Sequence, residues 1–378
     1  MLENYFEVVL IRSNPVLYEM RVLKIIRSLS RKYRLLVLGW DREGTHSSFE
    51  ILEKLAPVKR FKMKAPYSKF HILLYYPLFW LWTFKNLLTY KPKIIHACDL
   101  DALVPGYFFK TLFSVKLVFD NFDRFAMAFI PPKYRLIYLA VNKIEDILAK
   151  NSDALIVVSD ERKSSFGGYL PKYTEVIMNC PDFEGLEKTE DKPILEVDEP
   201  GVLTLVYAGA IAHDRGLILI GEAIKDLRDV RLILAGRVFD DTLIHLLKNS
   251  NVRYVGLLEA TEVINLERIA DVIPVLYDPS IPINRVASPN KLFEAMMLGV
   301  PVITNVCRDV VAEAHCGLIV DYDVEEVRNA IIRLKNDPSL RRKLGENGRR
   351  AFEQKYNWNL MEKRLLRLYD HILKANIS

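Results

Sequence analysis

Continuous apolar runs, each followed by an amphipathic stretch, recur along almost the whole 378-residue chain. The first half contains FEVVLI, RLLVLGW, KIIHACD, KLVFDN and ALIVVS, and the second half contains LTLVYAG, VRLILAG, DVIPVLY, VPVIT and GLIVD. Strands that are apolar on both faces are typical of parallel sheets covered by helices on both sides. The alternation therefore predicts an α/β fold built from doubly wound parallel sheets.

An acidic, polar segment, DFEGLEKTEDKPILEVDEPG, separates two halves of similar size. Its composition is typical of an interdomain linker. We therefore predict two Rossmann-like parallel-sheet domains that face each other across a cleft, over residues 1–183 and 201–355, with a linker over 184–200. The amphipathic tail, 356–378, is expected to form a helix that crosses back to the first domain.

The charge and the cysteines limit the class of partner and the compartment. Lys and Arg number 53 and Asp and Glu 48, so the formal net charge is only +5. This small excess argues against a nucleic-acid partner and is compatible with acidic ligands or an anionic membrane surface. The four cysteines include no CxxC pair, which favours a reduced, cytoplasmic protein.

A lysine stands where a helix should disfavour it, in the segment SPNKLFEAMMLGVPVIT. Ser288 is a suitable N-cap, Pro289 suits the first helical position and Gly299 ends the helix. Lys291 then lies in the first turn, where the positive end of the helix disfavours a cation by about 0.3–1 kcal/mol. An anion shared by the helix end and the lysine would reverse that effect.

A second cation is predicted at a comparable position. The strand LTLVYAG ends at Gly209, whose lack of a side chain lets a ligand approach the backbone, and Arg215 stands at the start of the next helix. Ligands of such sheets bind at the carboxyl ends of the strands, and helix N-termini with basic side chains bind phosphate. Arg215 and Lys291 together predict a diphosphate site; the alternative for each is a solvated or ion-paired surface cation.

Glu294 follows Lys291 by one helical turn. It could simply form an i, i+3 ion pair with the lysine, worth about 0.2–0.5 kcal/mol. Its neighbours are apolar, however, and a carboxylate there could accept hydrogen bonds from ribose hydroxyls, as acidic residues do in dinucleotide sites.

SPNKLFEAMMLGVPVIT resembles the donor-site signature of GT-B glycosyltransferases, in particular the retaining group called glycosyltransferase family 4. Other segments resemble this family in the same order: YEMRVLKIIRSLS the first helix, IIHACDLDAL and KLVFDNFDRF the acceptor-facing loops, VYAGAIAHDRGL the phosphate loop, and YNWNLMEKRLLRLYDHIL the terminal helix. The resemblance covers nearly the whole chain and implies the GT-B fold.

The resemblance also implies roles for individual residues. Arg215 and Lys291 would hold the donor diphosphate, Glu294 the ribose, and Gly209 would allow close approach of the sugar or phosphate. The nucleobase would be flanked by Gly236, Arg237, Gly256 and Leu257, and the remaining donor-binding candidates are Ser288 and Asn290. The catalytic candidates are Lys291, Arg215 and Asp123, and the acceptor-side candidates are Asn14, Asp99, Asp101 and Asp120.

Three positions depart from the family pattern. Val286 stands where many members have a glutamate that addresses the donor sugar, and Phe122 where members often have a histidine. Ala210 stands where some subgroups have a second basic residue, which leaves more of the diphosphate charge to Lys291.

The segment DLD, Asp99 to Asp101, has three interpretations. A DxD motif binds a divalent metal and diphosphate in the other large glycosyltransferase fold. Here the segment follows a strand of a parallel-sheet domain, so helix capping by Asp101 or lining of the acceptor side is favoured. We expect no metal site, and no cofactor besides the nucleotide-sugar substrate.

The aromatic stretch FHILLYYPLFWLWTF, residues 70–84, is flanked by lysines and is short for a membrane span. One interpretation is a buried helix. The other is a surface element that dips into a membrane interface, where Trp80 and Trp82 would be favoured.

These observations predict a retaining glycosyltransferase of the hexosyltransferase class. The donor would be a UDP-, GDP- or ADP-linked sugar, and the acceptor a hydroxyl of a glycan or lipid-linked sugar. The protein would be cytoplasmic, with peripheral binding at the inner face of the membrane as one option. The alternatives are a catalytically degenerate nucleotide-binding protein and a sugar-nucleotide epimerase on the same fold. The absence of G-x-G-x-x-G after either first strand argues against a nicotinamide dehydrogenase.

Overall fold

The structure is a computed structural model that describes residues 5–17, 19–66, 71–131, 133–183, 201–239 and 249–374. The predicted linker, 184–200, lies outside the described residues. The chain divides into two compact units. The first comprises Met1–Ile177 and Glu362–Ser378, and the second comprises Met178–Met361.

The first unit is built on one sheet of eight strands in the order β3-β4-β2-β1-β5-β6-β7-β8. The strands are β1 Val8–Ile11, β2 Leu35–Asp41, β3 Phe49–Leu52, β4 Ala56–Lys62, β5 Ile94–Cys98, β6 Lys116–Asn121, β7 Ala154–Val157 and β8 Tyr173–Val176. All neighbours pair in parallel except β3, which pairs antiparallel to β4 at the edge. The order reverses between β1 and β5, so a ligand site is expected at the carboxyl ends of these two strands.

Helices cover both faces of this sheet. They are α1 Met20–Ser30, α2 Tyr76–Tyr90, α3 Leu100–Leu112, α4 Phe125–Phe129, α5 Arg135–Lys150 and α6 Asp160–Ser164. Because βαβ crossovers are right-handed, α1 lies on one face of the sheet and α2, α3 and α5 lie on the other. All four residues of β1 are buried, as the continuous apolar run predicts.

The C-terminal helix, α13 Trp358–Lys374, belongs to the first unit from Glu362 onward. The Tyr369 hydroxyl lies 2.7 Å from Nδ1 of the buried His96 in β5, and the Arg364 guanidinium donates to the Val176 carbonyl at 3.1 Å. These buried polar contacts fix the helix against two strands of the sheet.

The second unit contains two three-stranded parallel sheets, β11-β10-β9 and β12-β13-β14. The strands are β9 Leu203–Ala208, β10 Val230–Ala235, β11 Val252–Tyr254, β12 Ile273–Val275, β13 Val302–Thr304 and β14 Gly317–Ile319. A parallel bridge from Leu205 to Val272 places β9 beside β12. The resulting order corresponds to the 3-2-1-4-5-6 order of dinucleotide-binding sheets, with its reversal between β9 and β12. The predicted α/β class with two Rossmann-like parallel-sheet units is confirmed.

The helices of the second unit are α7 Leu217–Ile224, α8 Ala260–Arg268, α9 Asn290–Leu298, α10 Arg308–Ala314, α11 Val324–Asn336 and α12 Pro338–Gln354. Gly299 adopts a left-handed conformation with φ of 71° and ends α9, as the sequence predicts.

The aromatic stretch at 70–84 forms a 3₁₀ turn, His71–Leu74, and most of α2. Phe79 is fully buried, the Trp80 indole N–H donates to the Asp101 carbonyl at 2.7 Å, and Trp82 packs on Phe61 with ring centroids 5.5 Å apart. Both tryptophans thus contribute to the core, while Leu78 and Leu81 point to solvent. Among the described residues, no helix combines the length and apolarity needed to cross a membrane.

The packing of α9 against α12 leads to a prediction about stability. A Cβ at Gly345 would overlap the carbonyl oxygen of Gly299. We expect Gly345→Ala to lower the free energy of unfolding by about 1–3 kcal/mol, because the backbones must separate. Urea unfolding checks this, with the exposed neighbour Glu346→Ala as control, expected to change stability by less than about 0.5 kcal/mol. Equal stability of the two variants would contradict the packing.

Candidate active site

The predicted glycines of the second unit lie side by side at the carboxyl ends of neighbouring strands. The Gly209 N–H donates to the Ala235 carbonyl at 2.8 Å, and the Gly236 N–H donates to the Gly256 carbonyl at 2.7 Å. A Cβ at Gly236 would overlap the backbone of Gly209. The close approach of the turns at Gly209 and Gly236 therefore requires glycine at position 236. Together with the turn at Gly256, three backbone segments lie at one edge of the sheet.

The residues that follow two of these glycines lie at the surface. Arg237 is exposed, with its guanidinium carbon 5.3 Å from the centroid of the Phe239 ring, and Leu257 is 76% exposed. The Tyr254 hydroxyl donates to the Gly236 carbonyl at 2.8 Å and fixes the turn between them.

Lys291 lies in the first turn of α9, as predicted, and its side chain extends over Gly209. A Cβ at Gly209 would overlap its ammonium group, which lies 4.7 Å from the centroid of the Tyr207 ring. In the described part of the second unit, this ammonium makes no hydrogen bond or ion pair. Burial lowers the pKa of Lys291, against the attraction of Glu294 and Glu267. The site thus holds a partly buried cation whose hydrogen-bond donors are unused.

Arg215 corrects the sequence-based expectation in its local structure. It ends a 3₁₀ turn, His213–Arg215, and Gly216 with φ of 64° separates this turn from α7, so Arg215 precedes the helix and does not lie in its first turn. Its guanidinium carbon lies 4.4 Å from the centroid of the Tyr277 ring, just after β12. Arg215 also lowers the pKa of Lys291, so the two positive charges interact.

Two carboxylates accompany Lys291. Glu294 is half-buried one turn later in α9. Glu267 of α8 is fully buried, and neither of its carboxylate oxygens has a hydrogen-bond partner. Burial, followed by the charge of Glu294, raises the pKa of Glu267 well above its ordinary value. A protonated Glu267 would leave the positive charges of Lys291 and Arg215 less neutralised.

The residues before α9 also differ from the expectation. Pro289 occupies the N-cap position, and no side chain caps the helix, so the predicted role of Ser288 as N-cap is wrong. The Ser288 hydroxyl is buried and has no hydrogen-bond partner, whereas Asn290 is exposed. The first turn of α9 therefore keeps its backbone N–H groups free of side-chain caps.

In the first unit, the reversal point between β1 and β5 brings several predicted residues together. Arg12 pairs with Glu19 through two hydrogen bonds, of 2.8 and 2.7 Å, and also pairs with Asp99. Ser13 hydrogen-bonds Asp101, which is buried. The side-chain oxygen of Asn14 accepts from the Val16 N–H at 2.9 Å and so stabilises its own turn.

Asp99 organises the loop after β6. Its carboxylate accepts hydrogen bonds from the backbone N–H groups of Phe122, at 2.8 Å, and Asp123, at 3.1 Å. The Phe122 ring lies beneath two guanidiniums, with its centroid 4.7 Å from Arg12 and 5.0 Å from Arg21. Burial raises the pKa of Asp99 to about 7, against the attraction of Arg12. Phe122, which departs from the family pattern, thus has a structural role in this loop.

Asp120 is fully buried between two partners. Arg21 donates to it at 2.8 Å, and Nε2 of His96 lies 3.3 Å away. Burial opposes its ionisation, but Arg21 and His96 hold the pKa of Asp120 below its ordinary value. The Asp123 side chain, in contrast, is 53% exposed.

Buried charged side chains hold the loop 121–125 in place. Arg162 donates to the Phe122 carbonyl at 2.6 Å and pairs with Asp123 at 3.3 Å. Glu145 accepts from the Asn121 amide at 3.0 Å and the Phe125 N–H at 3.3 Å, with Arg124 3.7 Å away. Burial raises the pKa of Glu145 to about 8.

The DLD segment therefore participates in hydrogen bonds and ion pairs of the first unit. Within the ranges that the structure describes, no group of three or more His, Cys, Asp or Glu side chains is placed to hold a metal ion. The expectation that the reaction needs no metal stays a prediction.

Sequence reasoning missed several residues of these sites. Tyr207 and Tyr277 could have been identified, since one precedes Gly209 in β9 and the other directly follows the β12 run. Glu267, Glu145 and Arg162 lie in helices whose sequence pattern does not show which polar side chain is buried.

Comparison with known proteins shows what part of the chain is similar to. Residues 188–351 match the family model described as glycosyl transferases group 1. The chain is 28% identical over 181 residues to the capsular polysaccharide biosynthesis glycosyltransferase CapM of Staphylococcus aureus. That alignment covers 45% of this chain and 46% of CapM, so the chain spans about half the length of this curated relative.

Solved structures match over nearly the whole chain. Sucrose-phosphate synthase of Thermosynechococcus elongatus superposes with a TM-score of 0.79 at 17% identity, covering 97% of this chain and 99% of that one. Anabaena HepE, solved in complex with UDP, gives 0.73 at 15% identity, covering 97% and 100%. The expected GT-B fold is confirmed. The family model and the curated relative that the chain matches are both described as glycosyltransferases, as the resemblance implies.

The buried Glu145 predicts a pH dependence of stability. Its raised pKa means that the folded state binds the proton more tightly than the unfolded state, so its contribution to stability falls as the pH rises from about 4.5 towards 8. We expect Glu145→Gln to remove a slope of up to about 1.4 kcal/mol per pH unit in this window.

Urea unfolding of both proteins between about pH 5 and 9 measures this difference. The exposed Glu346→Gln serves as control and should reproduce the wild-type profile. Parallel profiles for wild type and Glu145→Gln would show that Glu145 is not buried as described.

Proposed function

We propose that this GT-B chain, whose residues 188–351 match the glycosyl transferases group 1 model, transfers a sugar from a nucleotide-sugar to an acceptor hydroxyl with retention at the anomeric carbon. The observation that carries the proposal is the position of the Lys291 ammonium against Gly209, in the first turn of α9, with the charge of Arg215 near enough to lower its pKa. Retention is carried over from the family resemblance.

The donor would bind to the second unit through its diphosphate. Lys291, Arg215 and the uncapped N–H groups of α9 can donate to phosphate oxygens beside Gly209, where a side chain would block the approach. When the bond between the anomeric carbon and the diphosphate breaks, negative charge grows on the departing oxygen. Cations already held in place stabilise that charge without reorganisation.

The nucleoside would extend from this diphosphate. Glu294 would accept hydrogen bonds from the ribose, and the turns at Gly236, Arg237, Gly256 and Leu257 would flank the base. A UDP-sugar is the first donor to test, since the structurally similar HepE was solved with UDP and with UDP-glucose.

The acceptor would bind to the first unit, on the side of Asn14, Asp99, Asp101 and Asp120. Asp123 would lie nearest the reacting carbon, because it alone of the predicted carboxylates there is more than half exposed and its position is fixed by Arg162. The name of CapM supports a lipid-linked or cell-surface glycan as acceptor class.

We also propose that the protein is cytoplasmic and associates peripherally with the inner face of the membrane. The outward Leu74, Leu78 and Leu81 of the 70–84 segment support this, whereas its tryptophans are engaged in the core.

Two alternative functions are compatible with the same fold. A degenerate protein would bind nucleotide without turnover, and Val286 and Phe122, which depart from the family pattern, favour this reading. An epimerase would convert a nucleotide-sugar without any acceptor. Incubation with nucleotide-sugars, with and without glycan acceptors, separates the three by the product formed.

Lys291 gives the sharpest test of the transferase proposal. We expect Lys291→Ala to lower turnover by about a hundred- to a thousandfold, because a preorganised contact to the leaving group is lost. The control is Lys225→Ala, which removes an exposed lysine paired with Glu222 and should retain full activity. Near wild-type turnover of Lys291→Ala would refute the assignment.

The donor class and the independence from metal can be tested together. Thermal unfolding with UDP, GDP or ADP, each with and without EDTA, should show stabilisation by one nucleotide of about 2.7 kcal/mol at a hundred times its Kd, unchanged by EDTA. The account predicts UDP. Stabilisation that disappears with EDTA would contradict the predicted metal independence.

A further inference from the structure

The helix α5, Arg135–Lys150, packs Val141 and Leu148 on the core but leaves most of its other aliphatic residues exposed. Its buried residues are Glu145 and Ala149. Leu136 is 83% exposed and Ile137 57%, and Ile144 and Ile147 are also exposed. A surface helix of a soluble protein normally turns its aliphatic stripe to the core. The exposure of this stripe shows that the described residues do not cover it.

The exposed aliphatic residues of α5, apart from Leu139, form one continuous face. Successive helical residues are about 100° apart, which places Leu136, Ala140, Ile144 and Ile147 on one side and Ile137 at its border. We call these five residues the α5 face. The opposite side carries Glu145, which is committed to the loop 121–125 and cannot rotate outward without losing its hydrogen bonds.

The charges around the α5 face have a single sign. Lys143 and Lys150 follow one border, and Lys133 and Arg135 precede the helix or open it; all four are exposed. The acidic residues of this segment are turned away, because Glu145 is buried and Asp146 pairs with Arg124 at 2.7 Å. An apolar stripe with a basic border and no exposed carboxylate complements an anionic, apolar surface.

Aromatic residues mark the end of α5 that is nearest the candidate acceptor residues. Tyr134 and Phe129 are exposed just before the helix. Because α5 follows β6, it starts at the carboxyl edge of the sheet, where the loop 121–125 carries Asp123. Tyrosine is favoured where an apolar phase meets water.

From these observations we propose that the α5 face is the surface by which the protein docks on a bilayer containing anionic lipid. The helix lies in the plane of the interface, its aliphatic stripe enters the boundary between headgroups and chains, and the four basic residues contact lipid phosphates. The inference rests on the proposed function for its purpose, since docking here brings a lipid-linked acceptor to the carboxyl edge of the first unit.

Cosedimentation of the full chain with phosphatidylcholine vesicles, with and without phosphatidylglycerol, tests the inference. The wild type should bind the anionic vesicles, and Leu136→Glu/Ile144→Glu should weaken binding on the order of tenfold or more, since two apolar insertions are replaced by carboxylates. Lys143→Gln/Lys150→Gln should reduce the preference for anionic over neutral vesicles.

The matched control is Phe49→Glu/Ile51→Glu, which replaces two exposed apolar residues of the edge strand β3 and changes the net charge equally. It should bind vesicles like the wild type. Equal binding by the α5 variant, or absence of binding by the wild type, would overturn the inference. So would a wild-type dimer in sedimentation that the α5 variant dissociates, because the face would then bind a second copy.

Stabilisation by UDP, measured on the same proteins, separates this inference from the proposed function. All variants should retain the nucleotide-induced shift of the wild type, which also shows that they are folded. A wild type that binds vesicles through α5 but no nucleotide would defeat the proposed function and leave the docking surface standing. A wild type that binds nucleotide but does not bind vesicles through α5 would refute the docking surface and leave the proposed function standing.

Discussion

The second unit concentrates positive charge at one edge of its sheet, and the proposed chemistry depends on this. Lys291 and Arg215 repel each other, and the tyrosine rings beside them offset that repulsion only weakly, since a cation–π contact contributes about 0.5–2 kcal/mol. Burial also raises the pKa of Glu267, so this carboxyl group is less able to neutralise the charge of Lys291. A bound diphosphate would relieve the repulsion and accept hydrogen bonds from the Lys291 ammonium. The nucleotide-sugar would then be bound most strongly at its diphosphate, where the leaving group develops its charge.

Backbone geometry makes this charge accessible. The turns after β9 and β10 are so close that a side chain on Gly236 would overlap the neighbouring turn, and a side chain on Gly209 would displace the Lys291 ammonium. The corresponding edge of the sheet in the first unit is organised differently. There Asp99 and Asp120 are paired with arginines, and the loop 121–125 is held by Asp99, Glu145 and Arg162. In the described part of the second unit, the Lys291 ammonium thus stands without a hydrogen bond, and Arg215 pairs only with its neighbour Asp214, at 3.5 Å. The first unit presents a rigid loop with one exposed carboxylate, Asp123.

The sequence predicted the architecture well because continuous apolar runs report directly on buried parallel strands. It also placed Lys291 in the first turn of its helix, although the start expected from Ser288 and Pro289 lay one residue too early. Local backbone geometry was less predictable: Pro289 replaced Ser288 as N-cap, and a left-handed Gly216 moved Arg215 out of α7. The buried Glu145 and Glu267 could not be foreseen, because helical periodicity does not reveal which polar residue turns inward. The apolar stripe of α5 misleads for the same reason, as periodicity alone would bury it.

A crystal structure of the protein soaked with a UDP-sugar tests the central claim most directly. The account predicts diphosphate oxygens within hydrogen-bond distance, about 2.7–3.2 Å, of both the Lys291 ammonium and the Arg215 guanidinium. A diphosphate bound elsewhere, with both side chains directed to solvent, would contradict the account and leave only the two parallel-sheet units established.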